Sequence, residues 1–230
     1  MKAIVLAGGL GTRLAHVTSD IPKPMAPIAS RPFLGYLLDY LIDQGCEEIV
    51  LAVSYKWEVI QGYFGFEYRG KPLKYSVEDA PLGTGGAIRQ AMEFLGDDDV
   101  VVLNGDTLFH VDLKSMANEH LSSGTRLSLA LKRVADSGRF GRVEVSGDYV
   151  VTSFQEKTAG GPGWINGGIY MLNGDLFNDF PMPERFSFEQ DLVEPNIGRI
   201  QPRAFLSDAY FIDMGVPDDY ERAQCEIGNR

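Results

Sequence analysis

Residues 3–27 read AIVLAGGLGTRLAHVTSDIPKPMAP, and the order of features in this stretch sets the expectations for the rest of the chain. Apolar residues at the start suit a short buried strand, which breaks at Gly8-Gly9-Leu10-Gly11-Thr12-Arg13 into a turn that is nearly all backbone. Ten residues later Lys23 stands between Pro22 and Pro24. Glycines let backbone N–H groups approach an anion, and two nearby cations would complete a cradle for a triphosphate. A tight strand-to-helix turn followed by a solvated basic loop accounts for the same residues, so the stretch alone supports both readings.

The alternation continues outward from this turn. Ser30 reads as an N-cap with Pro32 near the helix start, and Phe33, Tyr36, Leu37, Tyr40 and Leu41 form an apolar helical face that ends at Gly45. Ile49 to Val53 suits a strand buried on both faces, Lys56 to Phe64 a helix, and Leu73 to Glu78 a strand. A helix is expected from about Ala87 to Leu95, then a buried strand at Val100 to Leu103 that runs into Asn104-Gly105-Asp106. Such alternation predicts a parallel sheet with right-handed crossovers, in which ligands bind beyond the carboxyl ends of the strands. Gly8-Gly9, Glu78 to Gly86 and Asp106 all fall on that edge.

The second half is less regular. Asp112 to Ser122 reads as a helix and Leu127 to Val134 as a strand, with a hairpin around Gly147-Asp148 and a strand at Ile165 to Leu172 that carries Asn166-Gly167-Gly168. Ser187-Phe188-Glu189-Gln190 is a capping box ahead of a helix ending near Gly198, Ala204 to Asp213 supplies one or two strands, and Pro217 begins a last helix. The expected fold is a single α/β domain over 1–230. It is Rossmann-like and three-layered around a mixed, mostly parallel sheet, with about 1–110 as the half that carries the glycine turn and about 111–230 as a second half packed on it.

Composition narrows the function classes. The net charge of −11 argues against nucleic acid or an anionic membrane as partner, although a local Arg/Lys cluster still permits a small phosphorylated ligand. There is no run of about 18 apolar residues and no leader pattern, which gives the expectation of a cytoplasmic protein. Cys46 and Cys225 read as inert thiols on helices, and His16, His110 and His120 as surface or core residues without liganding spacing.

Two common glycine loops fail on the residues. A Walker A loop needs Gly-Lys-Ser/Thr after its second glycine, which is absent after Gly11. A dinucleotide fingerprint needs a small residue where Leu14 stands and an acid at the end of the second strand, where Ser54-Tyr55-Lys56 stands instead. Asp106 and Asp213 each end a strand; together they would suit Mg²⁺, which takes one or two carboxylates plus phosphate oxygens. Separately, each would simply cap a turn.

GGLGTRL with PKPM, then LGTGGA, NGD, Glu156-Lys157, NGGIY and DMGVPDDY, in that order and over almost the whole chain, resemble the sugar-1-phosphate nucleotidyltransferases. Within them, DIPKPMAPI, AVSYKWEVI, EDAPLGTGGAI, INGGIYML, FSFEQDLVEP and YFIDMGVPDDY resemble the branch using GTP and D-glycero-α-D-manno-heptose 1-phosphate. Branches using mannose 1-phosphate, or uridylyl or thymidylyl donors, and a non-catalytic nucleotide-sugar sensor are the alternatives.

The resemblance implies that a sugar phosphate attacks the α-phosphorus of GTP and pyrophosphate leaves, with Arg13, Lys23 and Asp106 as the catalytic set. It implies a nucleotide site of Leu6, Ala7, Gly8, Gly9, Gly11, Thr12, Arg13, Lys23, Glu78, Pro81, Gly83, Thr84 and Asp106. Asp106 and Asp213 would hold Mg²⁺; Gly141, Glu156, Lys157 and Asn166 would meet the sugar phosphate. Thr158 stands where the family often has Pro, which leaves the loop after Lys157 open. The chain ends soon after its last helix, so no C-terminal β-helix is expected; a homo-oligomer remains possible.

Glu78 adds an argument about the base. A carboxylate only accepts hydrogen bonds, and guanine offers two adjacent donors, N1–H and N2–H₂. Uracil and thymine offer one N–H between carbonyls, so an acceptor-only residue favours guanine.

Overall fold

The computed structural model describes residues 1–9, 21–96, 98–155, 160–215 and 217–227. Strand β1 (Lys2–Leu6) is followed, after a 3₁₀ turn at Lys23–Met25, by the short strands β2 (Pro27–Ile28) and β3 (Arg31–Pro32) and helix α1 (Phe33–Asp43). Next come β4 (Glu48–Val53), α2 (Trp57–Phe64), β5 (Glu67–Tyr68), β6 (Lys71–Val77), α3 (Gly83–Met92) and β7 (Val100–Asn104). These alternate as expected, and β1 pairs in parallel with both β4 and β7 while β4 pairs in parallel with β6. The chain therefore runs outward from β1 through β4 to β6 and returns to the other side of β1. That reversal of strand order opens a crevice beyond the ends of β1 and β7.

The second half completes the sheet in antiparallel fashion. After β8 (Thr107–Phe109) and α4 (Leu113–Ser123) come β9 (Leu127–Val134), the hairpin β10 (Arg142–Val145) and β11 (Val151–Gln155), and the long β12 (Gly163–Leu172). Strand β12 lies antiparallel to β7 and to β9, and β13 (Arg203–Ser207) runs parallel to β9, giving ten strands in one sheet. Strand β14 (Phe211–Asp213) pairs with β8 outside the main sheet, and α6 (Pro217–Glu226) follows the four-residue α5 (Ile197–Ile200).

Alternate residues of the buried strands feed two cores. Ala3, Val5, Leu51 and Val53 pack against α1, α2 and β14 on one face; Ile4, Val50, Val100 and Val102 pack against α3 and the Phe186–Val193 segment on the other. Strands buried on both faces place the sheet between two layers, the expected three-layer arrangement.

Four local expectations are corrected. Ser30 does not cap α1, whose N-cap is Pro32, because Arg31 and Pro32 are taken up in pairing with β2. Helix α3 begins at Gly83 rather than about Ala87, so the glycines lie inside its first turn. The segment after Ser187 is a π-helix, Phe188–Val193, separate from α5. There the Ser187 side chain accepts from the Gln190 N–H, while Asp191, not Gln190, accepts from the Ser187 N–H. Cys46 is buried in the connection after α1 rather than on a helix, and burial pushes its thiol up to about 12.

Candidate active site

A cavity of about 840 Å³ opens where the parallel strands end. Leu6, Gly8 and Gly9 enter it from the end of β1, Ser54 and Tyr55 from β4, Glu78 from β6, and Asn104, Gly105 and Asp106 from β7. Lys23 reaches it from the 3₁₀ turn, Pro81, Gly83 and Thr84 from the start of α3, and Glu189 from the π-helix. An L-residue in place of Gly105 would put its Cβ 2.4 Å from the Leu6 carbonyl oxygen, so only glycine lets β7 turn against β1 and deliver Asp106 there. Gly83 has φ +71° and backs onto the Phe186 carbonyl at 2.5 Å from where a Cβ would sit, which fixes the α3 start under the cavity.

Three charged groups converge at one end. The Lys23 ammonium donates to Asp106 Oδ2, and the Thr107 hydroxyl donates to Asp106 Oδ1 at 3.2 Å. Asp213 arrives because β14 pairs with β8 in register Asp213 to Thr107, and the Met214 N–H donates to the Asp106 carbonyl at 2.7 Å. Burial raises the Asp213 pKa above its usual value, the neighbouring Asp106 charge raises it further, and Lys23 and Arg139 pull it back. No cluster of three or more His, Cys, Asp or Glu is found among the described residues, so a cation here would take two carboxylates and complete its shell with ligand oxygens.

At the other end Glu78 Oε2 accepts from the Leu82 N–H at 2.9 Å, while Oε1 points past Gly8, 2.9 Å from where a Cβ there would stand. Burial raises the Glu78 pKa, and the Leu82 N–H partly offsets this. The loop bond uses one lone pair, and among the described residues no donor reaches the remaining acceptors, all of Oε1 among them.

Of the sequence-derived residues, Leu6, Gly8, Gly9, Lys23, Glu78, Pro81, Gly83, Thr84 and Asp106 line this one cavity, with Asp213 adjacent through Asp106. Ala7 is buried behind the wall, its N–H bonded to the Ala52 carbonyl at 2.7 Å. Gly141 (φ +79°) precedes β10 and does not line the cavity. Asn166 opens the irregular stretch of β12, where its Oδ1 accepts from the Gly168 N–H and its Nδ2 donates to the Tyr170 hydroxyl. Gly11, Thr12, Arg13, Glu156 and Lys157 lie outside the described residues. Sequence reasoning did not assign Ser54, Tyr55 or Glu189; Glu189 was visible only as part of a capping box.

The model of the family described as nucleotidyl transferase matches residues 2–230. The chain belongs to that family. It is 51% identical to D-glycero-alpha-D-manno-heptose 1-phosphate guanylyltransferase of Campylobacter jejuni, over 96% of this chain and 97% of the relative. It is 48% identical to the protein of the same name from Aneurinibacillus thermoaerophilus, over 99% and 98%. Among solved structures, HddC from Yersinia pseudotuberculosis superposes with a TM-score of 0.88 at 38% identity, covering 98% of this chain and 99% of that one. A second structure of that protein, complexed with GMP-PN, superposes at 0.87. The mixed, mostly parallel sheet is thus the fold of these nucleotidyltransferases. Among the described residues no helix is long and apolar enough to cross a membrane.

Proposed function

We propose that this protein transfers GMP from GTP to a sugar 1-phosphate, D-glycero-α-D-manno-heptose 1-phosphate, giving GDP-heptose and pyrophosphate. The observation that carries the reading is the pairing of Lys23 with Asp106 in the wall of the strand-end cavity, with Asp213 beside Asp106. The two near-full-length guanylyltransferase relatives give it its substrates.

A phosphate oxygen of the sugar phosphate attacks the α-phosphorus, the bond from that phosphorus to the bridging oxygen of the β-phosphate breaks, and pyrophosphate leaves with the electron pair. A phosphomonoester has its second pKa near about 6, so the nucleophile is ionised at neutral pH and needs no general base. The chain's task is therefore positioning and charge neutralisation. Lys23 meets the negative charge that builds on the α-phosphate and the leaving group, joined by Arg13. Asp106 and Asp213 would suit a hard dication: two neighbouring carboxylates, one of them buried beside the other's charge, form an all-oxygen donor set. Bound there, Mg²⁺ supplies charge neutralisation and a template for phosphate oxygens. Glu78 takes the N1–H and N2–H₂ of guanine, and Glu156, Lys157, Asn166 and Gly141 serve the sugar phosphate. The two halves of the chain act as nucleotide and sugar sides of one domain, and dependence on GTP supports a cytoplasmic enzyme that supplies an activated heptose for polysaccharide assembly.

Pyrophosphate release with Mg²⁺ across GTP, UTP, dTTP and ATP tests the reading. GTP should turn over fastest; faster turnover of UTP or dTTP would overturn the assignment of the base.

A further inference from the structure

Of the cavity-lining carboxylates, the reaction described above leaves Asp79 and Glu189 without a role, and Glu189 is the one that side-chain hydroxyls hold in place. It opens the π-helix Phe188–Val193, whose position follows from Phe186 and Phe188 packing into the core shared with α3. Its Oε1 accepts from the Tyr170 hydroxyl, and its Oε2 accepts from the Thr84 hydroxyl at 3.4 Å. Thr84 is itself aimed, because its oxygen accepts from the Phe188 N–H at 2.9 Å, which turns its proton toward Glu189.

Tyr170 is 1% exposed, and its ring packs edge-on against Phe188. Its oxygen accepts from Asn166 Nδ2 at 2.7 Å, while Asn166 Oδ1 is held by the Gly168 N–H at 3.0 Å. The hydrogen bonds thus run one way, from the irregular stretch of β12 through Asn166 and Tyr170 into Glu189. A buried hydroxyl in such a chain has no other orientation that satisfies both neighbours. Burial and the adjacent carboxylate raise the tyrosine's pKa, so it remains a donor throughout the working range. Each Glu189 oxygen has a second lone pair, and among the described residues no donor takes it, so it faces whatever fills the cavity. A negatively charged acceptor rejects phosphate and suits neutral hydroxyls.

We propose that Tyr170 is a positioning residue: it fixes the Glu189 carboxylate at the cavity wall, where Glu189 accepts hydrogen bonds from hydroxyl groups of the sugar. The chain from Asn166 thereby ties the sugar strand β12 to the nucleotide loop at Thr84 through one carboxylate. This rests on the reading of the cavity as a site for GTP and a sugar 1-phosphate.

Tyr170→Phe removes the hydroxyl and leaves the ring. With the wild-type enzyme and its best sugar 1-phosphate as reference, the KM for the sugar should rise about tenfold while the KM for GTP stays within about twofold. Glu189→Gln should weaken sugar use similarly, and the double variant should be no worse than Glu189→Gln alone, since both act through one carboxylate. Should Tyr170→Phe not fold, Glu189→Gln compared with wild type on deoxy analogues of the sugar phosphate decides: wild type should discriminate against one of them at least tenfold more than the variant. Equal rises in both KM values, additive losses or unchanged discrimination against deoxy analogues would each overturn the role of Tyr170 and Glu189 alone. Absence of wild-type turnover with any GTP and sugar 1-phosphate pair would overturn the underlying reading as well.

Discussion

In the first half of the chain the site residues sit at the ends of parallel strands; in the second they arrive by an irregular strand, a π-helix and an outlying strand pair. Leu6, Glu78 and Asp106 are each placed by the strand, or the turn beyond it, that the sequence itself announces. Asn166 and Glu189 are joined through the buried Tyr170, and Asp213 is placed by pairing with β8. Strand ends deliver side chains through short local geometry, so their chemistry is charge and backbone. The second half delivers side chains through contacts distant in sequence, so its chemistry is a hydrogen-bond network that one deletion loosens without dismantling.

That contrast predicts unequal losses. Lys23→Met should lower kcat by about 10²–10³-fold with the fold intact, the scale of removing one donor to transition-state charge. Asn166→Ala should act mainly on the KM for the sugar, and a comparable fall in kcat from Asn166→Ala would erase the distinction. Glu78→Gln should lower the preference for GTP over UTP by tenfold or more, in line with a lost charge-assisted contact of about 1.5–3 kcal/mol. A steady-state nucleotide panel on the variant reads this directly.

Effects on the scaffold should be smaller. Gly83→Ala forces a residue at φ +71° against the Phe186 carbonyl and should cost about 1–3 kcal/mol, with a lower Tm and a raised KM for GTP. His120 of α4, buried against β9, bonds Ser128 Oγ at 2.8 Å through Nδ1, and among the described residues its buried Nε2 has no hydrogen-bond partner. Burial lowers its pKa below 6.5 in the folded state, so the unfolded chain takes up the proton first. Stability present above pH 6.5 should therefore fall as pH drops below that value, by at most about 1.4 kcal/mol per pH unit from this group. Denaturant melts from pH 7.5 to 5.5 should show a shallower slope in His120→Gln.

The sequence made the parallel core legible because strands buried on both faces leave continuous apolar runs, such as Ile49 to Val53 and Val100 to Leu103. It made Lys23 and Asp106 legible because proline, glycine and charge stand together at strand ends. It did not reveal that Glu78 holds the loop at Leu82, since that bond depends on the turn's shape. Nor did it reveal Glu189: in Ser187-Phe188-Glu189-Gln190 it is only a filler position of a capping pattern, and what turns it to the cavity is the bond from Tyr170, distant in sequence. The early start of α3 was hidden by glycine's low helix propensity, which is overridden here by packing of Gly85 and Gly86 under the Glu184–Phe186 segment.

The central claim is tested most directly by following GTP, Mg²⁺ and D-glycero-α-D-manno-heptose 1-phosphate with the purified protein by phosphorus NMR. The account predicts loss of the triphosphate signals with matched appearance of pyrophosphate and a GDP-heptose diphosphate pair, and slower reaction with mannose 1-phosphate. Unchanged GTP in the presence of the heptose phosphate, or faster conversion of mannose 1-phosphate, would contradict it.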